Sequence, residues 1–297
     1  MNRHLLPRMH PKRTDPDGKA GRPAAPALAG DGDRRLAGPD RRRLQSAGAR
    51  SIRIAAVGDI HCGVEDAGSY RDGFVRANSE ADVLVLTGDL TRHGLASEMR
   101  VVIGELQDVK IPIVAVLGNH DYEAGEQEDG TTILRARGVH VLQGDSFVLD
   151  EHIGFAGVKG FMGGFGRGTL TAFGEPETKA FVATALDEAR KLETALRELA
   201  TPVRVVVLHY SPIAGTVAGE PEVIFPFLGT DRLAEPLDRY QATVVFHGHA
   251  HSGSFRGETV GGVPVFNVAL PILRRENAGN SYYLHDIPIQ RPAFSAR

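Results

Sequence analysis

The chain has 297 residues and a single cysteine, Cys62, so neither an intramolecular disulfide nor a Cys-rich zinc site can be built, and a reducing, cytoplasmic setting is expected. A hydrophobic content of 42% supplies a buried core, and the length sets one large globular domain as the default. The net charge of −3 hides an asymmetry: residues 1–50 hold twelve Lys or Arg against five Asp, leaving the remainder about ten units negative.

The basic stretch is rich in Gly, Pro and Ala and has no apolar period, so it cannot offset the entropy of ordering. A disordered tail over residues 1–50 is expected, with the run Arg41, Arg42, Arg43 solvated, and one domain over 51–297. No apolar run approaches the roughly 18 to 20 residues that span a bilayer, and the N-terminus lacks the apolar stretch of a secretory signal. No membrane role is expected. From residue 51, short β-branched runs at 52–57, 83–86 and 113–117 each end in a polar knot, with helical patterns at 69–79 and 95–109 between them, which implies βαβ units. Residues 160–174 are glycine-rich and irregular, and are expected to form a loop near a site. A helix is expected over 176–199, opened by Pro176 and lined by Phe181, Leu186, Ala189, Leu192, Leu196 and Leu199. Strands follow at 203–208, 243–246, 263–268 and 281–285, and two sheets packed face to face are the expected outcome.

The polar knots fall where parallel strands end, the place where open α/β sheets gather ligands. They are Asp59 and His61, Asp89, Asn119 with His120 and Asp121, His209, and His249 with His251. Carboxylate oxygen, amide oxygen and imidazole nitrogen together suit manganese, iron, cobalt or zinc better than calcium or magnesium alone, and two metals would use the whole set. A His lies two residues after Asp59 and another two after His249; on an extended segment each pair shares one side and would converge on a metal. The glycine before Asp59, Asp89, Asn119 and His249 permits tight turns and close backbone approach.

Five blocks in order, GDIH from Gly58, GDLT from Gly88, GNHD from Gly118, LHYSP from Leu208 and GHAH from Gly248, resemble the signature of the calcineurin-like metallophosphoesterase superfamily. The GDLT and LHYSP blocks look most like its branch of bacterial cyclic-nucleotide phosphodiesterases. The resemblance spans about residues 52–267. It implies a four-layer α/β fold, two mixed sheets packed as a sandwich and flanked by helices, with a dinuclear metal site at the strand C-terminal ends. It also implies Asp59, His61 and His251 on a first metal, Asn119, His209 and His249 on a second, Asp89 bridging both, and His120 as the catalytic histidine outside the ligand set. Two divalent cations bring more charge than the two ligating Asp remove, so the centre would attract phosphate, and a hydroxide bridging the metals would attack phosphorus in line. His120 would give a proton to the leaving alkoxide or steady the phosphoryl charge, and Asp121 would hold its ring or a nearby group.

Other residues read more plainly. His247 reads as a core or supporting histidine, Cys62 as a buried thiol pointing away from the metals, and His93 as a loop residue. Arg92, Arg167 and Tyr210 are substrate-contact candidates only by nearness to the blocks. The expected activity is metal-dependent hydrolysis of a small-molecule phosphoester, nucleotides included, with a diester favoured. The alternative is a phosphomonoesterase, a phosphoprotein phosphatase or nucleotidase, with residues 214–227 and their Glu220 and Glu222 shaping the choice. The complete ligand set argues against a non-catalytic scaffold, and the acidic body argues against nucleic acid as a partner.

Overall fold

The computed structural model describes residues 50–276 and 281–289; the tail expected over residues 1–50 lies, apart from Arg50, outside them. The first sheet is built from β1 (Arg50–Val57), β2 (Val83–Thr87), β3 (Ile113–Val116) and β4 (His140–Val141) in parallel, with the last strand, β11 (Tyr283–Ile289), antiparallel to β1. The second sheet has β5 (Asp145–Val148), β6 (Ile153–Val158), β7 (Val203–Leu208), β8 (Val244–His247), β9 (Arg256–Glu258) and β10 (Pro264–Asn267). Its spatial order is β5-β6-β7-β8-β10-β9, with β6, β7, β8 and β10 parallel and the two edge strands antiparallel. Both sheets are therefore mixed, as the resemblance implies.

Helices cover the outer faces. The first sheet is flanked by α1 (Arg71–Glu80), α2 (Ala96–Leu106) and α3 (Gln127–Ala136). The second sheet is covered chiefly by α4 (Pro176–Glu198), while α5 (Ala214–Val217), α6 (Phe225–Leu228), α7 (Ala234–Arg239) and α8 (Leu270–Glu276) are shorter. Among the described residues, no helix is long and apolar enough to cross a membrane. Strand alternation divides the core between layers. Along β7, Val205 and Val207 join Ile54, Val85, Val114 and Phe246 in one cluster, while Val206 and Leu208 join Leu192, Leu196 and Leu237 in the other. Both faces of β7 are thus covered, which is why its sequence is a continuous apolar run. Each such fully buried Val or Leu contributes about 1.5–3 kcal/mol of transfer free energy.

Two readings need correction. Leu192, Leu196 and Leu199 are buried as expected, but in the first half of α4 the buried residues are Val182, Ala185 and Glu188, while Phe181, Leu186 and Ala189 are only partly buried. Ala185 and Ala195 hold the buried face because small residues let the helix approach the sheet, and Glu188 is satisfied there by the Gly160 N–H at 2.9 Å. The second concerns β6, an interior strand that the β-branched runs do not announce because two of its residues are glycines. A Cβ at Gly157 would come within 2.8 Å of the Val207 carbonyl oxygen on the paired strand β7 and within 3.0 Å of Val116 and Leu142, so close approach of strand and side chains takes the place of a side chain here.

Candidate metal centre

β1, β2, β3, β7 and β8 run the same way within their sheets, so the loops at their C-terminal ends gather on one rim. Those loops carry every block named above. The backbone locks them together: the Asp59 N–H donates to the Gly88 carbonyl at 2.9 Å, and the Gly248 N–H to the His209 carbonyl at 3.1 Å. The glycines act as expected, chiefly by close approach. A Cβ at Gly118 would collide with Asp89, one at Gly248 with Asp59 and one at Gly58 with Thr87, while Gly88 alone of the four also needs a positive φ, +87°.

The expected extended geometry of the two Asp/His and His/His pairs is not found. Asp59, His61 and His249 have φ of 55°, 44° and 70°, in the left-handed region, and Asp89 joins them at 49°. Turned backbone, and not strand alternation, aims these side chains. His249 and His251 consequently part company. Ligand atoms of Asp59, His61 and His251 lie within 4.8 Å of one another; so do those of His61, Asp89 and His120, and those of Asp89, His209 and His249. Shared members join the three groups into one continuous cluster, with Asp89 at its middle.

Donors outside the cluster orient the rings. His209 Nδ1–H donates to the Thr87 carbonyl at 2.9 Å, leaving Nε2 with a lone pair aimed at Asn119 Oδ1 at 2.8 Å and Asp89 Oδ1 at 3.4 Å. His249 Nε2–H donates to the Phe227 carbonyl at 3.1 Å, which leaves the Nδ1 lone pair as the one free to meet a cation. His251 Nε2 lies 3.0 Å from Asp59 Oδ1 and 3.4 Å from His61 Nε2. The acceptors facing His209 Nε2 repel its lone pair unless a cation lies between them, and this donor set fits divalent cations. The titration behaviour agrees. Burial holds His61 down to about 4, His249 to about 3 and His209 well below its ordinary value, keeping these three imidazoles neutral, whereas the hydrogen bond to Asp59 raises His251. Burial, with repulsion from Asp59 and Asp121, pushes the Asp89 carboxyl up to about 9, a cost that an adjacent cation removes.

His120 Nδ1–H donates to the Arg92 carbonyl at 2.7 Å, and its ring meets the His61 ring edge-on at 4.5 Å. Asp121 does not hold that ring. Its buried carboxylate accepts from the N–H groups of Leu90 (3.2 Å), Thr91 (2.9 Å) and Gly118 (2.8 Å) and from the Thr91 hydroxyl (2.6 Å), tying the GDLT loop to the GNHD loop. Burial pushes this carboxyl up and the four donors oppose that shift.

The remaining candidates separate cleanly. Cys62 is buried, its thiol pushed up to about 12 by burial. His247 is a core residue, donating from Nδ1 to the Gly248 carbonyl and accepting at Nε2 from the Thr216 hydroxyl, both at 2.8 Å. His93 and Arg167 are exposed, and the Arg92 guanidinium pairs with Glu65 and Asp66. Tyr210 belongs to the centre, its ring centroid 4.4 Å from that of His249. The carbonyls of Thr87, Arg92 and Phe227, which set three imidazole orientations, had no signal in the sequence, because every residue type carries one.

The calcineurin-like phosphoesterase family matches residues 52–253. The chain belongs to that family, whose members are metal-dependent phosphoric ester hydrolases with a dinuclear divalent metal site. It is similar to a protein of Fibrobacter succinogenes described as a probable cyclic nucleotide phosphodiesterase, 30% identical over 79 residues, which are 24% of this chain and 31% of that one. Among solved structures, it resembles phosphopantetheinyl hydrolase from Mycobacterium tuberculosis with 16% identity and a TM-score of 0.55, covering 82% of this chain and 98% of that chain. A Thermus thermophilus protein gives 15% identity and a TM-score of 0.50, covering 81% of this chain and 100% of that one. At these identities the structural likeness is one of fold.

Proposed function

We propose that this chain hydrolyses phosphodiesters, holding two divalent transition ions with Asp59, His61, Asp89, Asn119, His209, His249 and His251. The observation that carries the reading is the pair of acceptors facing the His209 Nε2 lone pair, Asn119 Oδ1 at 2.8 Å and Asp89 Oδ1 at 3.4 Å, in a chain of this family. When bound, the cations supply charge that draws phosphoryl oxygens and brings the pKa of water toward neutrality. Manganese, iron, zinc or cobalt all suit the mixed oxygen and nitrogen donors.

The chain's own residues do the rest. Asp89 sits within reach of two groups of candidate ligands and would be the carboxylate shared between the cations. With Nδ1–H committed to the Arg92 carbonyl, His120 has Nε2 left to pass a proton to the leaving alkoxide or to meet a phosphoryl oxygen. The diester preference is supported by the likeness to the Fibrobacter succinogenes protein and by Glu220. That carboxylate is held by the Ser252 N–H at 2.6 Å, one residue from His251, whose pKa is raised first by its hydrogen bond to Asp59 and then, more weakly, by Glu220, and its charge disfavours the extra negative charge of a monoester.

The test is kcat/KM for bis(p-nitrophenyl) phosphate against p-nitrophenyl phosphate, with added manganese and after chelation. Diester turnover about tenfold or more ahead, lost on chelation, is expected. Preference for the monoester would transfer the assignment to a phosphomonoesterase. Failure of both esters with every divalent metal would sink the hydrolase reading.

A further inference from the structure

Lys159 follows β6 directly and sits beside the candidate metal centre without joining it. Its carbonyl accepts from the N–H groups of both His209 and Tyr210 at 3.1 Å, so the base of the side chain is tied to the LHYSP block. The ammonium lies 5.3 Å from the Tyr122 ring centroid, 5.1 Å from that of Phe161 and 5.2 Å from that of Tyr210. Tyr122 closes the GNHD turn, and the Tyr210 ring also packs on His249. The charge therefore stands one ring away from a candidate ligand, in a wall shared with two of the blocks.

This cation lacks a counter-ion. Its one hydrogen bond goes to the Gly160 carbonyl at 2.9 Å, although an ammonium has three donors, and among the described residues no carboxylate pairs with it. Glu188, the acid whose charge acts on it most strongly, is already engaged by Lys191 and by the Gly160 N–H. Among the described residues two of the three ammonium donors have no hydrogen-bond acceptor, and three aromatic faces replace an anion only in part. An anion supplied from outside would complete the site.

We propose that Lys159, walled by Tyr122, Phe161 and Tyr210, is a subsite for an oxyanion, carboxylate or phosphate, on the arm of the substrate that does not react. This deepens the phosphodiesterase reading and rests on it. The ammonium makes no hydrogen bond to the clustered ligands among the described residues, the charge of Asp89 acting on it only from a distance, so it stands beside the centre and not in it, where a substrate's non-reacting arm extends. A substrate with a plain alkyl arm leaves the ammonium unpaired, whereas a charged arm fills the position with a charge-assisted hydrogen bond.

The test uses the manganese-loaded full chain and p-nitrophenyl alkyl phosphates of increasing arm length, ending in methyl, carboxylate or phosphate. The wild type is expected to favour an anionic terminus over methyl by about tenfold in kcat/KM at one best length, mainly through KM. Lys159→Met should bring that ratio close to unity, and Lys159→Arg should recover most of it. The stronger of the two anionic termini identifies the natural oxyanion. A wild type that cleaves the methyl ester with no anionic preference at any length, or a preference that survives in Lys159→Met, overturns the subsite alone. No turnover of any ester by the wild type overturns the hydrolase reading and the subsite with it.

Discussion

Among the described residues, five that are not glycine have left-handed backbone, and four of them are Asp59, His61, Asp89 and His249. Such conformations cost on the order of 1 kcal/mol or more apiece and persist only where the surroundings over-determine them. Here the surroundings are visible: the His249 N–H is held by both oxygens of Asp59 at 2.9 and 3.0 Å, and Asp121 fastens two loops with four accepted hydrogen bonds. His120 differs in being half-exposed and held through Nδ1 alone. Its replacement should therefore affect chemistry and spare assembly. His120→Asn is expected to lower kcat by about a hundredfold or more, with manganese content, read by atomic absorption, unchanged. Loss of metal together with rate would place His120 among the ligands, an outcome its nearness to His61 and Asp89 makes concrete.

At the scale of elements, each strand acts as a rail that delivers one polar knot, and the glycine after it lets neighbouring rails close. Gly88 is the most constrained, since its φ of +87° is disfavoured for any residue with a Cβ, and that Cβ would lie 2.7 Å from both Gly118 N and His209 Nδ1. Gly88→Ala is expected to cost about 2–3 kcal/mol in urea unfolding. It should also weaken manganese binding far more than it changes far-UV circular dichroism, because β2 itself is unaffected. Normal metal affinity in this variant would mean the two loops have more room than their packing indicates. The short helices α5 and α6 work differently: they bring the Phe227 carbonyl to His249, so the segment with Glu220 and Glu222 orients a ligand as well as bounding the pocket.

For the molecule as a whole, the centre straddles two sheets. The first supplies Asp59, His61, Asp89, Asn119 and His120, and the second supplies His209, His249 and His251. One apolar cluster, taking in Ile54, Val85 and Val114 with Val205, Phe246 and Phe266, joins those sheets. Cations bound across the seam would then stabilise the fold by mass action, by about 2.7 kcal/mol at roughly a hundredfold excess over Kd. Scanning calorimetry should accordingly show Tm rising with added manganese and falling with a chelator. An unchanged Tm would mean that the facing acceptors are not a metal site.

The order of the five blocks, the apolar strands before them and the belonging of each knot to a strand end were legible in the sequence, because strand periodicity and ligand chemistry are local properties. The helix over 176–199 was legible in extent too, and in the buried face of its second half, but not in that of its first half, which depends on what α4 packs against. Tertiary structure alone decided the rest. It turned the backbone at Asp59, His61, Asp89 and His249 out of the extended form, settled Asp121 on the backbone of two loops in place of the His120 ring, and set Lys159 between Phe161 and two rings from distant parts of the chain. Backbone turning, carbonyl acceptors and the meeting of sheets carry no residue code, so their placement is settled only when the layers pack.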